Sequence, residues 1–210
     1  FFRLLGTTAD RELDLVRLDP AYRVYSDPAS GSAPLDVRSG RAAATALFES
    51  IEPGAGAKLA EYLDSAADAY ALSISRFLYD TYETTAGLRD PELLKRLPQL
   101  APLLTRTLAS HVERRFADPR LQRILEYPAV FLGGSPYGVP SLYHLMSHLD
   151  LDDGVLYPRG GFTEIVRAIE RLAAASGAVI ETDARVASIT VQDGRATGVE
   201  LADGRRVDAD

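Results

Sequence analysis

Two Asp-Gly dipeptides, Asp193-Gly194 and Asp203-Gly204, constrain this chain more than anything else in it. Ala187, Ile189 and Val191 alternate with polar residues before the first, and Thr197, Val199 and Leu201 alternate before the second. Asp-Gly readily adopts the left-handed backbone that a tight hairpin demands. Alternation with period two sends one set of side chains to one face of a sheet. Residues from about Ala187 onward are therefore held to a three-stranded antiparallel meander, since two-residue turns leave no room for a crossover helix.

The chain before the meander reads as strand, turn, helix and strand. Val155 to Tyr157 is strand-like, and Gly160-Gly161 makes a tight turn. From Phe162 to Ala175, Phe162, Ile165, Ile169 and Leu172 fall on one side of a helix, with Glu164, Arg167 and Arg171 on the other. Gly177 ends that helix, and Val179-Ile180 reads as a strand. Further upstream the pattern is mostly helical. Short strands at Leu13–Leu18, Tyr22–Tyr25 and Leu35–Val37 precede a helix through Phe48 with Ser39 as its N-cap. A long helix from about Ala57 to Phe77 carries Leu59, Tyr62, Leu63, Ala66, Tyr70 and Ile74 on one stripe. Pro91 starts a short helix, and a stretch punctuated by Pro98 and Pro102 runs on to Phe116. Asp118-Pro119 opens another helix, and Pro140 or Ser141 starts one carrying Leu142, Leu145, Met146 and Leu149.

Composition excludes several functions. With no cysteine there is no disulfide, thiolate metal site or cysteine nucleophile. A net charge of -7 argues against a nucleic-acid surface, and no nucleic-acid partner is expected. No run approaches the ~18 apolar residues of a spanning helix. The chain starts at Phe1 and stops just after the strand-like Arg206 to Ala209, so an internal fragment of a longer protein is expected.

The order Tyr157-Pro158-Arg159-Gly160-Gly161, amphipathic helix, Gly177-Ala178-Val179-Ile180 and meander resembles the FAD-dependent phytoene desaturases and carotenoid desaturase-isomerases, which are amine-oxidase-like flavoproteins. Leu18-Asp19-Pro20-Ala21-Tyr22-Arg23-Val24-Tyr25 resembles that family's first strand pair. Asp118 to Leu125 and Phe131-Leu132-Gly133-Gly134-Ser135-Pro136 resemble its central helices. The resemblance implies an α+β fold in two parts: a mostly helical substrate domain with a small antiparallel sheet over 1–151, and over 152–210 a helix and three-stranded β-meander from a partial FAD-binding domain. It also implies desaturation or isomerisation of a long apolar polyene such as phytoene. The Gly-x-Gly-x-x-Gly phosphate turn of such proteins does not occur in this sequence. FAD is therefore expected in the full-length protein and none on this fragment.

By the same resemblance, Gly160 and Gly161 approach the flavin ring and the backbone of Val186 contacts adenine, although both glycines also serve a plain turn. A polyene offers almost no polar handle, so an apolar tunnel is needed. Leu78, Val130, Phe131, Leu132, Tyr137 and Tyr143 are the lining candidates, with ordinary helix packing as the alternative for each. Arg89 and Asp90 are weak candidates for an acid-base pair, and Asp90 before Pro91 also reads as a helix cap. His144 and His148 have the i, i+4 spacing of metal ligands, but the run lacks a zinc-protease glutamate and also reads as a helix face, so no metal is expected. Arg96, Arg106, Arg114 and Arg115, interspersed with leucines, suit either a membrane interface or packing on their own domain. The expected location is cytoplasmic, with peripheral contact at the inner membrane face. Two other readings stay open. One is a flavin amine oxidase-like oxidoreductase of another substrate, which a polar pocket would favour. The other is a non-catalytic lipid-binding or interaction module.

Overall fold

The computed structural model describes residues 1–26, 33–76 and 91–209. The fold is α+β, as expected, and the chain divides into two compact units. One is Leu15–Tyr157; the other joins Phe1–Asp14 to Pro158–Asp210.

The first unit is a helical body with short strands. Its helices are α2 (Arg41–Ile51), α3 (Ala55–Arg76), α4 (Pro91–Thr105), α5 (Leu108–Glu113) and α6 (Pro119–Glu126), α1 (Ala9–Glu12) being a single turn in the other unit. Local chemistry sets their ends. The Asp118 carboxylate accepts from the Arg120 amide at 2.8 Å, with Pro119 at the first helical position. Thr107 Oγ1 accepts from the Ser110 amide at 3.2 Å and so starts α5. At α3 the Glu49 carboxylate accepts from the Gly54 and Gly56 amides at 3.0 Å each. An acid there complements the positive end of the helix dipole. A Cβ on Gly56 would lie 2.9 Å from the Thr45 carbonyl oxygen, so the glycine is what lets α2 and α3 pack this closely.

Periodicity becomes packing along α3. Leu59, Tyr62, Leu63 and Ala66 are all fully buried, as their stripe predicts. Leu59, Tyr62 and Leu63 join Phe48, Phe116, Leu121 and Ile124 in one core cluster, with the Phe48 and Phe116 rings edge to face at 5.5 Å. Strand β2 (Tyr22–Val24) pairs antiparallel with β3 (Leu35–Val37), Tyr22 opposite Val37. Strand β1 (Leu15–Arg17) pairs with β4 (Leu156–Pro158). The segments read as a strand pair, β1 and β2, are thus each partnered elsewhere.

In the second unit the turn Gly160-Gly161 leads into α7 (Thr163–Ala175), followed by β5 (Val186–Gln192), β6 (Arg195–Leu201) and β7 (Arg206–Asp208) in that sheet order. Asp193 and Gly194 have φ of 50° and 76°, the left-handed pair of a two-residue hairpin. At the second turn only Gly204 is left-handed, and the Asp203 carboxylate accepts from the Arg205 amide at 3.0 Å. The meander is therefore formed as predicted, by two different turns.

Some local expectations are corrected. The N-cap of α2 is Gly40; the Ser39 hydroxyl instead donates to the Leu18 carbonyl at 3.1 Å. The stretch read as punctuated by Pro98 and Pro102 and running on to Phe116 instead breaks at Arg106-Thr107, while both prolines lie inside α4. Ser141–Leu145 is a 3-10 turn and His148–Asp153 a π turn rather than one α-helix. Val179-Ile180 forms no strand, and Val179 is 93% exposed, because no neighbouring strand reaches it.

Candidate functional site

Gly160 and Gly161 both hold positive φ, 94° and 93°, between β4 and α7. The Gly161 amide donates to the Pro158 carbonyl at 2.9 Å and the Glu164 amide to the Gly161 carbonyl at 3.1 Å. A side chain at Gly160 would meet Glu164 Cγ at 3.0 Å. This backbone is one that glycine adopts without strain. Val186 opens β5 opposite Leu201, half exposed. Beside it lies a cavity of about 370 Å³ bordered by Asp183, Ala184, Arg185, Leu201 and Ala202. Arg205 and Glu181 close one side through a bidentate pair, one arm at 3.0 Å, and the guanidinium holds the Glu181 carboxyl below its usual range.

The apolar candidates gather elsewhere, in the Leu15–Tyr157 unit. Val130, Phe131 and Leu132 lie on the 3-10 turn Tyr127–Leu132, which Gly133 ends at a φ of 63°. Phe131 is 64% exposed, and Val130, Leu132 and Tyr137 are exposed too; Tyr143 is half-buried. The Tyr127 ring supports this surface, 5.3 Å from both Tyr22 and Phe131. Val130, Phe131, Leu132 and Tyr137 turn outward, and none of the five residues borders either cavity described here. Leu78, Arg89 and Asp90 lie outside the described residues.

His144 and His148 are turned apart. His144 is fully buried; its Nδ1 donates to the Leu142 carbonyl at 3.3 Å, so its Nε2 accepts from Ser65 Oγ at 3.0 Å. His148 Nδ1 faces Asp152 Oδ2 at 3.1 Å. The change from 3-10 to π winding between them removes the α-helical register that would have stacked the two rings. Asp152 is gripped by Arg41 Nε and Nη2 at 2.8 Å each, which lowers its carboxyl pKa. Asp150 accepts from the Tyr22 hydroxyl at 2.8 Å, yet burial raises its carboxyl. Among the described residues no group of three metal-ligating side chains converges.

Sequence reasoning missed a larger cavity, about 450 Å³, between α3, α4 and α5. Leu72, Leu100 and Leu103 provide apolar wall, while Asp68, Arg96, Arg106 and Arg115 bring charge and His111 lines the interior. The His111 ring lies 5.6 Å from Tyr62 and 5.1 Å from His144. Burial, with Arg115 nearby, pulls its pKa down to about 3. No local motif marks this site, because its residues meet only through helix packing.

Comparison with known proteins places these elements in context. Residues 14–210 match the family described as flavin containing amine oxidoreductase. A carotenoid 3,4-desaturase of Haloarcula japonica is 36% identical over 90% of this chain and 38% of its own length. A zeta-carotene-forming phytoene desaturase of Myxococcus xanthus is 34% identical over 100% of this chain and 40% of its own. A phytoene desaturase of Cercospora nicotianae is 29% identical over 100% of this chain and 34% of its own. The chain thus spans well under half the length of these curated relatives.

Proposed function

The chain belongs to the family of flavin containing amine oxidoreductases, and from that premise we propose that it is part of an FAD-dependent desaturase or isomerase of a long apolar polyene such as phytoene. The observation that carries this reading is the extent of the likeness. The Myxococcus relative aligns over all of this chain, including the helical unit Leu15–Tyr157. A likeness confined to the turn, helix and meander would speak only for flavin binding.

The Pro158–Asp210 segment then serves the flavin and the helical unit serves the substrate. Gly160 and Gly161 let the loop come close to the isoalloxazine ring, and the Val186 backbone meets adenine. Two features support the fit: the turn holds positive φ at both glycines, and a cavity lies beside Val186. FAD supplies the two-electron acceptor that a desaturation needs. Val130, Phe131, Leu132, Tyr137 and Tyr143 offer apolar contact and exclude water, which is how a hydrocarbon without polar handles is recognised. Their exposure also suits peripheral contact at the inner face of a membrane, from the cytoplasm. No helix among the described residues is long and apolar enough to cross one. The 210 residues contain no Gly-x-Gly-x-x-Gly turn, so this chain alone binds FAD weakly or not at all.

One observation favours a second reading, an amine oxidase-like enzyme of a different substrate: the 450 Å³ cavity has charged residues on its lining. The test uses the full-length parent protein, purified and supplied with phytoene in liposomes without oxygen. The expected result is bound flavin that bleaches as a conjugated chromophore appears. Bleaching by a polar amine but not by the polyene would transfer the assignment to the second reading. A parent protein that carries no flavin would overturn both and leave a lipid-binding module.

A further inference from the structure

The arginine-lined cavity is bordered by none of the apolar candidates Val130, Phe131, Leu132, Tyr137 and Tyr143, and its residues point to a ligand of their own. Arg96 on α4, Arg106 in the link after it and Arg115 after α5 border the same space. Among the described residues none of the three pairs with a carboxylate. Of the two acids among the described residues at the cavity, Asp64 is engaged by Arg41 at 2.6 Å, which leaves Asp68 against three guanidinium groups.

His111 forms part of the cavity wall. His111 is only 5% exposed. Its Nδ1 lies 3.4 Å from Arg115 Nη1, and a guanidinium can only donate, so Nδ1 accepts and the imidazole proton sits on Nε2. That Nε2 is buried without a partner among the described residues. The neighbouring His144 cannot serve, because Ser65 and Leu142 already occupy both of its nitrogens. The His111 Nε2 atom is closed to water and so to a ligand oxygen, so His111 shapes the wall and the arginines carry the charge of the cavity.

We infer that this cavity binds a phosphate-type oxyanion, with the guanidinium groups of Arg96, Arg106 and Arg115 around the anion and Leu72, Leu100 and Leu103 against a short apolar body attached to it. Three guanidinium groups from three separate points of the chain suit a tetrahedral anion better than a planar carboxylate. A phosphomonoester brings a charge of about -1.5 to -2 near neutrality, close to the surplus that the arginines leave. The cavity is of the size that small ligands occupy. The oxyanion has two sources, a lipid headgroup or a free phosphate ester. The inference does not rest on the flavin reading and survives or fails separately from it.

Calorimetry on this chain tests it with three probes below their micelle concentrations: dihexanoyl phosphatidic acid, glycerol 3-phosphate and dihexanoyl phosphatidylcholine. Saturable binding of the phosphatidic acid is expected, weakened roughly tenfold by Arg96→Gln or Arg106→Gln. Asp68→Asn should tighten it several-fold, a gain that misfolding cannot imitate. Both arginines are exposed, so circular dichroism melts should match wild type. Comparable affinity for glycerol 3-phosphate assigns the site to free phosphate esters; much weaker affinity assigns it to a lipid headgroup. Equal binding of the phosphatidylcholine, indifference to the arginine substitutions, or no heat with either phosphate overturns the proposal.

Discussion

The two units of this chain reach ordered structure by different routes. In Leu15–Tyr157, helices close on a continuous core in which Phe48, Leu59, Phe116 and Leu121 are fully buried. In the other unit the buried apolar side chains are few, Leu13, Ala168 and Leu201 among them, while Phe162, Val166, Ile189 and Val191 stand exposed. The meander nevertheless keeps an antiparallel ladder from Val186 to Asp208, with register shifts between Val186 and Ser188 and between Thr190 and Val191. Packing dictates structure in the first case, and turn geometry with backbone pairing does so in the second. Apolar alternation in a strand therefore fixes register without guaranteeing a buried face, and exposed faces of this kind mark surfaces suited to being covered.

The sharpest way to break that comparison is a pair of truncations followed by urea denaturation. Phe48→Ala removes a ring at the centre of the core and should cost about 3–5 kcal/mol. Ile189→Ala removes a side chain that is 64% exposed and should cost no more than about 0.5 kcal/mol. Similar losses at both positions would erase the distinction.

Acidification comes next in size and acts on the helical unit. The folded pKa of His111, about 3, lies below its ordinary value of 6.5. The unfolded chain therefore takes up the proton first. Stability from the neutral imidazole is complete above the ordinary value and is lost as pH falls toward 3. The slope approaches about 1.4 kcal/mol per pH unit at most. His111→Gln should flatten the wild-type pH profile in that window; Asp150, whose raised carboxyl acts in the opposite direction, remains in both proteins and drops out of the difference.

The smallest effect sharpens the account of the meander. Gly198 lies on β6 opposite Thr190 and Asp208, with a φ of 155°, and a Cβ there would stand 2.3 Å from the Val207 carbonyl oxygen. Gly198→Ala should cost roughly 1–3 kcal/mol and speed amide exchange in 206–208, leaving exchange in α3 unchanged. Equal acceleration in both would show that the two units unfold as one.

Legibility in the sequence followed the range of the interactions. The meander was readable because each turn is encoded within a few residues, and the α3 stripe because one helix repeats its own period. The 3-10 and π turns between Ser141 and Asp153 were not, since apolar spacing looks alike until packing chooses the winding. Ser39 was misread for a related reason: its hydroxyl serves Leu18, 21 residues away, rather than the helix beside it. The charged cavity left no local trace, because Asp68, Arg96 and His111 meet only once α3, α4 and α5 have packed.

Glu49 carries a further consequence. Gly54-Ala55-Gly56 opens α3 with the spacing that begins a nucleotide fingerprint, yet the amides of both glycines are already bonded to that carboxylate. A scan by glycine spacing alone would count this helix as half a phosphate cradle, when it is sealed from within by its own counter-ion. Shortening Glu49 to alanine would unmask those N–H groups at a positive helix end and create a docking point for stray anions at the place the native carboxylate fills.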